Sequence, residues 1–314
     1  MKEFFINEND AGQRLDKFVL KATVGLPKSL MYKAIRTKKI KVNRKRCEVN
    51  QFLAAGDTVQ MFLAPEFFGE GDEPWKKLTP SLNVVYEDEN ILLCDKEAGL
   101  SCHSDETQKT GTLIDHIKAY LFEKGSYDPE RENSFAPALC NRIDRNTSGL
   151  VICAKTAVAL REINEMIRER QVQKEYLAWA HGKWEKEGLC TLYLKKDSEK
   201  NLVRVSPTPA PEHLTAITEF YTLRYDAKKD RTLIRILLHT GRTHQIRASA
   251  AWLGHPLVGD SKYGKDHSDP EFHHQALRAH SISFKVPQES PLFYLDGRIF
   301  SAPESPLFAS KNKF

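Results

Sequence analysis

No stretch of this 314-residue chain approaches the ~18 consecutive apolar residues that cross a bilayer. The opening, MKEFFINENDAG, turns acidic after one lysine and holds no apolar signal core, so a cytoplasmic protein is expected. The six cysteines (Cys47, Cys94, Cys102, Cys140, Cys153, Cys190) contain no C-x-x-C pair. That pattern fits reduced, buried thiols rather than a zinc knuckle or a disulfide frame. There is no H-E-x-x-H, and the histidines lack metal-ligand spacing, so no metal is expected. There is no G-x-G-x-x-G either, which leaves a dinucleotide without a seat. GDSKYGKD at 259–266 imitates a phosphate loop. Asp266, however, stands where a Ser or Thr hydroxyl should ligate Mg²⁺, and HSDPEF cannot open a phosphate-cradling helix. No cofactor is expected.

Acid is also missing where base is dense. From Lys28 to Arg46 there are nine basic residues and no Asp or Glu. Residues 1–65 carry 13 Lys/Arg against 6 Asp/Glu, a net of +7, and the rest of the chain carries 34 against 36. Such an excess confined to one fifth of the chain is a polyanion-binding signature. Lys28, Lys33, Arg36, Lys38, Lys39, Arg44 and Arg46 are the candidate RNA contacts, because phosphate neutralisation scales with clustered charge. Solvated surface lysines are the plainer account of any isolated run of this kind.

Hydrophobic content of 40% and charged content of 28% fit a globular protein with a real core, long enough for a small and a large domain. Leu15, Phe18, Val19 and Ala22 fall at helical spacing, and a second helix after Pro27 should turn Leu30, Ala34 and Ile35 inward. IKVN and AGDTVQMFLA read as strands. Three prolines, two glycines and four acids in residues 64–80 read as a linker. Beyond it, LNVVYEDENILLCDKE gives two strands around a turn, and Thr112 and Gly125 bracket a helix. GLVICAKT is a strand whose Thr156 caps another helix. RTLIRILLH is apolar on both faces and so central. Strands and helices alternate without a β-α-β period. The expected class is α+β, with a small helical/β domain followed by a larger, largely antiparallel β-sheet domain with flanking helices.

Three segments look like chemistry. NRIDRNTSGL sets Asp144 between Arg142 and Arg145, and nearby positive charge favours the carboxylate form, as suits a nucleophile or base. A salt-bridged Asp bracing a turn explains the same residues. Cys140 lies four positions upstream, but no His/Asn relay can be placed beside it. In KEYLAWAHG, Tyr176 shares a strand face with Lys174 and Ala178; a core tyrosine is the plain alternative. In LLHTGRTHQIRASAAWLGHPLVGDSKYG, Thr243 is the expected N-cap of a helix. Arg242 and Arg247 then lie near its start, placed to hold phosphate or to pair with a carboxylate.

Taken together, these segments resemble the RluA-type pseudouridine synthases over about residues 82–287. The family pattern is H-R-L-D-x-x-T-S-G, then K-x-Y-x-A-x-x-x-G, then G-R-T-H-Q-I-R…G-x-P-x-x-G-D-x-x-Y-G. QALRAHSISF resembles its closing sheet segment. Residues 12–63 resemble the small RNA-binding domain first described in ribosomal small-subunit protein S-four, through R-L-D-x-F, P-K-S-x-x-x-x-x-I, I-x-V-N and A-G-D-x-V. This chain differs from the synthase pattern at Asn141 (commonly His), Ile143 (Leu), Glu97 (Pro), Ala248-Ser249 (Val-His) and Arg278 (His).

The resemblance implies a pseudouridine synthase fold and an isomerase that converts specific uridines of RNA to pseudouridine. Large-subunit ribosomal RNA is the expected substrate, with tRNA left open. The implied organisation is an S-four-like RNA-binding domain at 1–65, a linker at 66–80 and a catalytic domain at 81–314, without cofactor; the oligomeric state stays open, with a monomer as the default. Asp144 would be the nucleophile, Tyr176 would lie against the flipped base, and Arg247 would pair with Asp144. Arg142 would enter the gap in the RNA stack, where a planar guanidinium stacks well. His103 falls near the same site in the pattern. The alternative is a non-catalytic RNA-binding or ribosome-assembly factor on a synthase fold. A metal-dependent nuclease using Asp144 and Asp260 lacks the carboxylate cluster that two metals need.

Overall fold

The structure is a computed structural model and describes residues 1–69, 73–197, 199–264 and 269–309. Asp266, on which the phosphate-loop comparison turns, lies outside them. At the N-terminus, β1 (Lys2–Phe5), β2 (Ile40–Val42) and β3 (Thr58–Met61) form an antiparallel sheet in the order β1-β3-β2. Helices α1 (Leu15–Lys21) and α2 (Lys28–Arg36) share a core with it. In α2 the inward stripe is Met31, Ala34 and Ile35, while Leu30 is 37% exposed. The expected stripe is therefore off by one position. Met31, Ala34 and Ile35 fall at i, i+3 and i+4 on one face, leaving the neighbouring Leu30 at its edge.

The larger part is one sheet of eleven strands: β4 (Val84–Glu87), β5 (Ile91–Lys96), β6 (Ala138–Leu139), β7 (Ser148–Ala154), β8 (Val172–His181), β9 (Gly188–Asp197), β10 (Leu202–Ser206), β11 (Leu214–Asp226), β12 (Arg231–Leu238), β13 (Leu277–Phe284) and β14 (Ile299–Ser301). The spatial order is β10-β9-β11-β12-β8-β13-β7-β5-β4, with β14 beside β13 and β6 beside β7. Among the described residues every pairing is antiparallel except β13 with β7. This is the expected α+β class, with RTLIRILLH central as β12.

Period-two alternation splits the core between the two faces of the sheet. Leu92, Cys94, Val151 and Cys153 join Tyr176 and residues of α3 (Leu113–Glu123) and α5 (Gln245–Trp252) on one face. Ile91, Leu93, Leu150 and Ile152 pack with α4 (Ala157–Arg168) on the other. That double burial is why β5 opens with the apolar run Ile91–Cys94 and β7 carries the apolar run Leu150–Ala154. Thr112 and Asp115 close a capping box on α3, and Thr156 accepts from Ala159 N–H to cap α4.

One glycine fixes the approach to the site. Gly149 has φ +113°, and a Cβ placed there would lie 2.1 Å from the Ala279 carbonyl oxygen. Only glycine lets β7 meet β13 in parallel at this point. Elsewhere, the segment read as a linker divides its side chains. Phe67 and Phe68 pack on the N-terminal core, whereas Trp75 belongs to the larger one, 5.8 Å from the Phe122 ring. The two parts also meet through polar contacts. Fully buried Asp10 accepts from Asn133 Nδ2 and Ser134 Oγ at 2.6 Å each, and Arg161 Nη1 donates to the Ala11 carbonyl at 3.1 Å.

Candidate active site

Asp144 sits in the turn that feeds β7, its backbone carbonyl accepting from Thr147 N–H at 3.0 Å. The turn is held from beneath by Lys96 at the end of β5. Its buried ammonium donates to the carbonyls of Glu97, Leu100 and Arg145 at 2.8, 2.8 and 2.9 Å. Burial pushes that ammonium down to about 8. Asn141, at the position where the resembled pattern commonly has His, accepts from Ile152 N–H at 2.8 Å and so ties the segment before the turn to β7.

The two arginines adjacent in sequence do not hold the acid. Arg145 turns away, donating to Gly99 O and Thr107 Oγ1 at 3.0 Å each. Arg142 is exposed on the cleft wall. The positive charge expected beside Asp144 does not reach it as ion pairs from these two, because successive side chains diverge in a turn. The guanidinium at Asp144 belongs instead to Arg247 on α5, whose Nη1 donates to Asp144 Oδ2 at 2.9 Å.

Arg247 is itself anchored by Asp260, a residue with no exposed surface. Nε and Nη2 donate to its two oxygens at 2.8 and 2.9 Å, and Lys262 and Tyr263 N–H groups add to Oδ1. This is bidentate pairing with the remaining carboxylate capacity filled. Burial alone would raise the Asp260 carboxyl, but the Arg247 hydrogen bonds and charge outweigh it and hold it below the ordinary value. The Arg247 guanidinium is held above its ordinary range, because Asp260 and Asp144 outweigh its own burial. Tyr176, from β8, is buried beside them, and that burial together with the Asp144 charge raises its phenol. It remains a neutral hydroxyl at neutral pH.

A cleft of about 310 Å³ joins these groups, lined by Ser101–Asp105, Arg142–Arg145, Thr147, Tyr176, Gly241–Arg247 and Leu277 among others. Asp144, Tyr176, Arg247, Arg142 and His103 all reach it. Arg242 donates to the Thr215 carbonyl at 3.0 Å. The helix begins one residue later than expected: His244, with φ 50°, is its N-cap in place of Thr243. Cys140 lies outside the cleft, and burial pushes its thiol up to about 12, which disqualifies it as a thiolate nucleophile. The seven basic candidates of the N-terminal part are all exposed: Lys28, Lys33 and Arg36 on α2, the others between Lys38 and Arg46.

Sequence reasoning missed Lys96, His244 and Tyr263, and weighed Asp260 only as a metal ligand. Both Asp260 and Tyr263 lie inside the G-D-x-x-Y-G pattern, so the signal was present without its geometry. Among the described residues no group of three or more His, Cys, Asp or Glu could hold a metal ion, and no helix is long and apolar enough to cross a membrane.

The sheet with its single parallel pairing has solved counterparts. A human RNA pseudouridylate synthase domain-containing structure superposes with a TM-score of 0.56 at 17% identity, covering 72% of this chain and 90% of its own. A second human structure of the same designation gives 0.55 at 20% identity, over 74% and 89%. These define the fold as that of a pseudouridylate synthase. Residues 90–252 match the RNA pseudouridylate synthase family and residues 13–59 the S4 domain. An uncharacterized RNA pseudouridine synthase of Mycoplasma genitalium is 33% identical over 90% of this chain and 88% of its own. Ribosomal large subunit pseudouridine synthase C of Escherichia coli K12 is 33% identical over 87% and 82%. The chain belongs to the RNA pseudouridine synthase family, and it is an isomerase acting on RNA.

Proposed function

We propose that this enzyme isomerises uridine in large-subunit ribosomal RNA, with Asp144 as the reactive carboxylate. Net chemistry breaks the C1′–N1 bond, turns the uracil, and joins C1′ to C5. The C5 proton leaves and N1 gains one, so no electrons are exchanged and no cofactor is called for. Asp144 acts at the detaching uridine, as nucleophile or as base. Arg247 orients it. Tyr176 lies against the extruded base as a neutral hydroxyl. Arg142, exposed on the cleft wall, occupies the space the base vacates in the stack. Extruding a base costs a few kcal/mol, which phosphate and stacking contacts must offset. Lys28, Lys33, Arg36, Lys38, Lys39, Arg44 and Arg46 supply the phosphate contacts from an RNA-binding domain at 1–65, joined through 66–80 to a catalytic domain at 81–314. The enzyme works as a monomer in the cytoplasm.

One observation carries this reading: the Asp144–Arg247 ion pair stands in an open cleft beside a buried tyrosine. The likeness to large-subunit synthases in the curated relatives supports the ribosomal substrate. Pseudouridine should be mapped by reverse-transcription stops after carbodiimide treatment, in cells with and without the protein. Loss of one or more stops from large-subunit RNA is expected, restored by the wild type and not by Asp144→Asn. An unchanged ribosomal map would refute the substrate, and restoration by Asp144→Asn would refute the role of the acid.

A further inference from the structure

His244 opens α5 from the left-handed region, a backbone state that persists for a residue with a Cβ only where its surroundings over-determine it. Its ring meets Tyr263 edge-on, centroids 5.7 Å apart, and Nδ1 lies 2.9 Å from Tyr263 Oη. Which atom donates in that bond depends on the imidazole tautomer, and a third group favours the phenol. Val203 N–H donates to the same phenolic oxygen at 2.9 Å. The phenol proton then needs an acceptor, and among the described residues His244 Nδ1 is the one at hydrogen-bond distance. Burial pushes the Tyr263 phenol up to about 12, so it keeps that proton. A neutral imidazole accepting at Nδ1 carries its hydrogen on Nε2.

Nε2 faces Asp144 Oδ2 at 4.0 Å. That is the oxygen already taking Arg247 Nη1. Asp144 Oδ1 has no hydrogen-bond partner among the described residues, and the side chain is 28% exposed toward the cleft. We propose that His244 is a positioning residue for Asp144. The Tyr263 hydroxyl fixes it as an Nε2–H donor, which joins Arg247 on Oδ2 and leaves Oδ1 as the oxygen that meets the uridine.

The inference rests on the reading of Asp144 as the reactive carboxylate. The 4.0 Å gap closes by a small rotation of the carboxylate as substrate enters, since hydrogen bonds in unliganded sites are commonly long. In this tautomer His244 is not a base: its one lone pair is at Nδ1, engaged by Tyr263 and turned from the acid. Burial reinforces this by lowering the ring's hold on a second proton, against the pull of Asp144 and Asp260 and with the push of Arg247 and Lys262.

The test begins with full-length protein labelled with ¹⁵N-histidine. Among eleven histidines, the His244 signals are assigned by their loss in His244→Gln. A proton-bearing Nε2 and a lone-pair Nδ1 are expected at pH 7, with Tyr263→Phe moving both signals toward the tautomer average. That variant keeps the ring, which also packs 5.4 Å from the Arg247 guanidinium. In steady-state turnover, His244→Ala and Tyr263→Phe should lower kcat about tenfold or more with KM for RNA within about twofold. His244→Gln, whose amide can donate from a similar place, should recover most of that loss. A protonated Nδ1 in the wild type, or His244→Ala with wild-type kcat, would overturn the proposal. Wild-type protein inactive on RNA would instead remove the reading of Asp144, while the nitrogen spectrum would still report the tautomer.

Discussion

Asp260→Asn removes one charge from a buried pair, and its consequences can be worked out in advance. Asp260 is fully buried and the Arg247 side chain is 8% exposed. The asparagine offers one acceptor where there were two and turns an NH₂ toward a guanidinium N–H. Removing one partner of a buried ion pair costs about 3–5 kcal/mol, because Arg247 keeps only its contact with the partly exposed Asp144. At about 2–4 °C per kcal/mol for a domain of this size, melting should fall by roughly 6–20 °C. The second consequence is catalytic. Arg247 reaches Asp144 with its third nitrogen, so a guanidinium that is no longer gripped from behind drifts. A displacement of about 1 Å near reacting groups can cost on the order of 10² in rate. Release of tritium from RNA labelled at uridine C5 measures turnover, since C5 must lose its hydrogen. An approximately hundredfold loss in kcat is expected, with RNA affinity within about threefold. The pH dependence has a definite sign. The Asp260 carboxyl is depressed in the folded state, so its contribution is present above the unfolded value of about 3.9 and is lost as pH falls through the folded value. The melting gap between wild type and variant should therefore narrow below about pH 4. A variant melting within about 2 °C of wild type at pH 7, or turning over at the wild-type rate, would refute the reasoning.

Lys96→Met should strip three carbonyls of their donor at about 1–3 kcal/mol each; differential scanning calorimetry should show a loss of at least roughly 3 kcal/mol, and an unchanged melt would refute it. Gly149→Ala puts a methyl into the Ala279 backbone at positive φ and should cost more than about 4 kcal/mol. It should therefore fail to accumulate in soluble form, and a soluble variant with wild-type melting would show that β7 and β13 can separate. Replacing Lys38, Lys39 and Arg46 by Gln should reduce the slope of log affinity against log salt by about 2, at roughly 0.7 per lost phosphate contact on single strands. An unchanged slope would mark that face as ordinary surface.

What could be read from the sequence was whatever depends on near neighbours. The caps at Thr112 and Thr156 and the apolar run on both faces of β12 all follow from spacing within a few residues. So does the α+β class. The errors have the same origin. Leu30 in place of Met31, and Thr243 in place of His244, are shifts of one position, which periodicity alone cannot fix without the packing partner. Local spacing showed only the charge of Arg142 and Arg145 beside Asp144; Arg247 was named as its partner through the family resemblance alone. That side chain is 103 residues away.

That distance explains why the site depends on the sheet rather than on any one segment. Asp144 enters from the turn before β7, Tyr176 from β8, and Arg247 from the first turn of α5. The strands that carry the first two are joined through β13, which pairs with β8 at Tyr176↔Ala279 and with β7 at Gly149↔Ala279. Ala279 is thus the shared neighbour of the tyrosine and of the glycine five residues after the acid. A one-residue slip of β13 against β8 would turn its side chains to the opposite face. It would also put a different residue against Gly149, where only a bare Cα fits. The same close contact that forbids a side chain at 149 therefore sets the register that brings the tyrosine and the acid to one cleft.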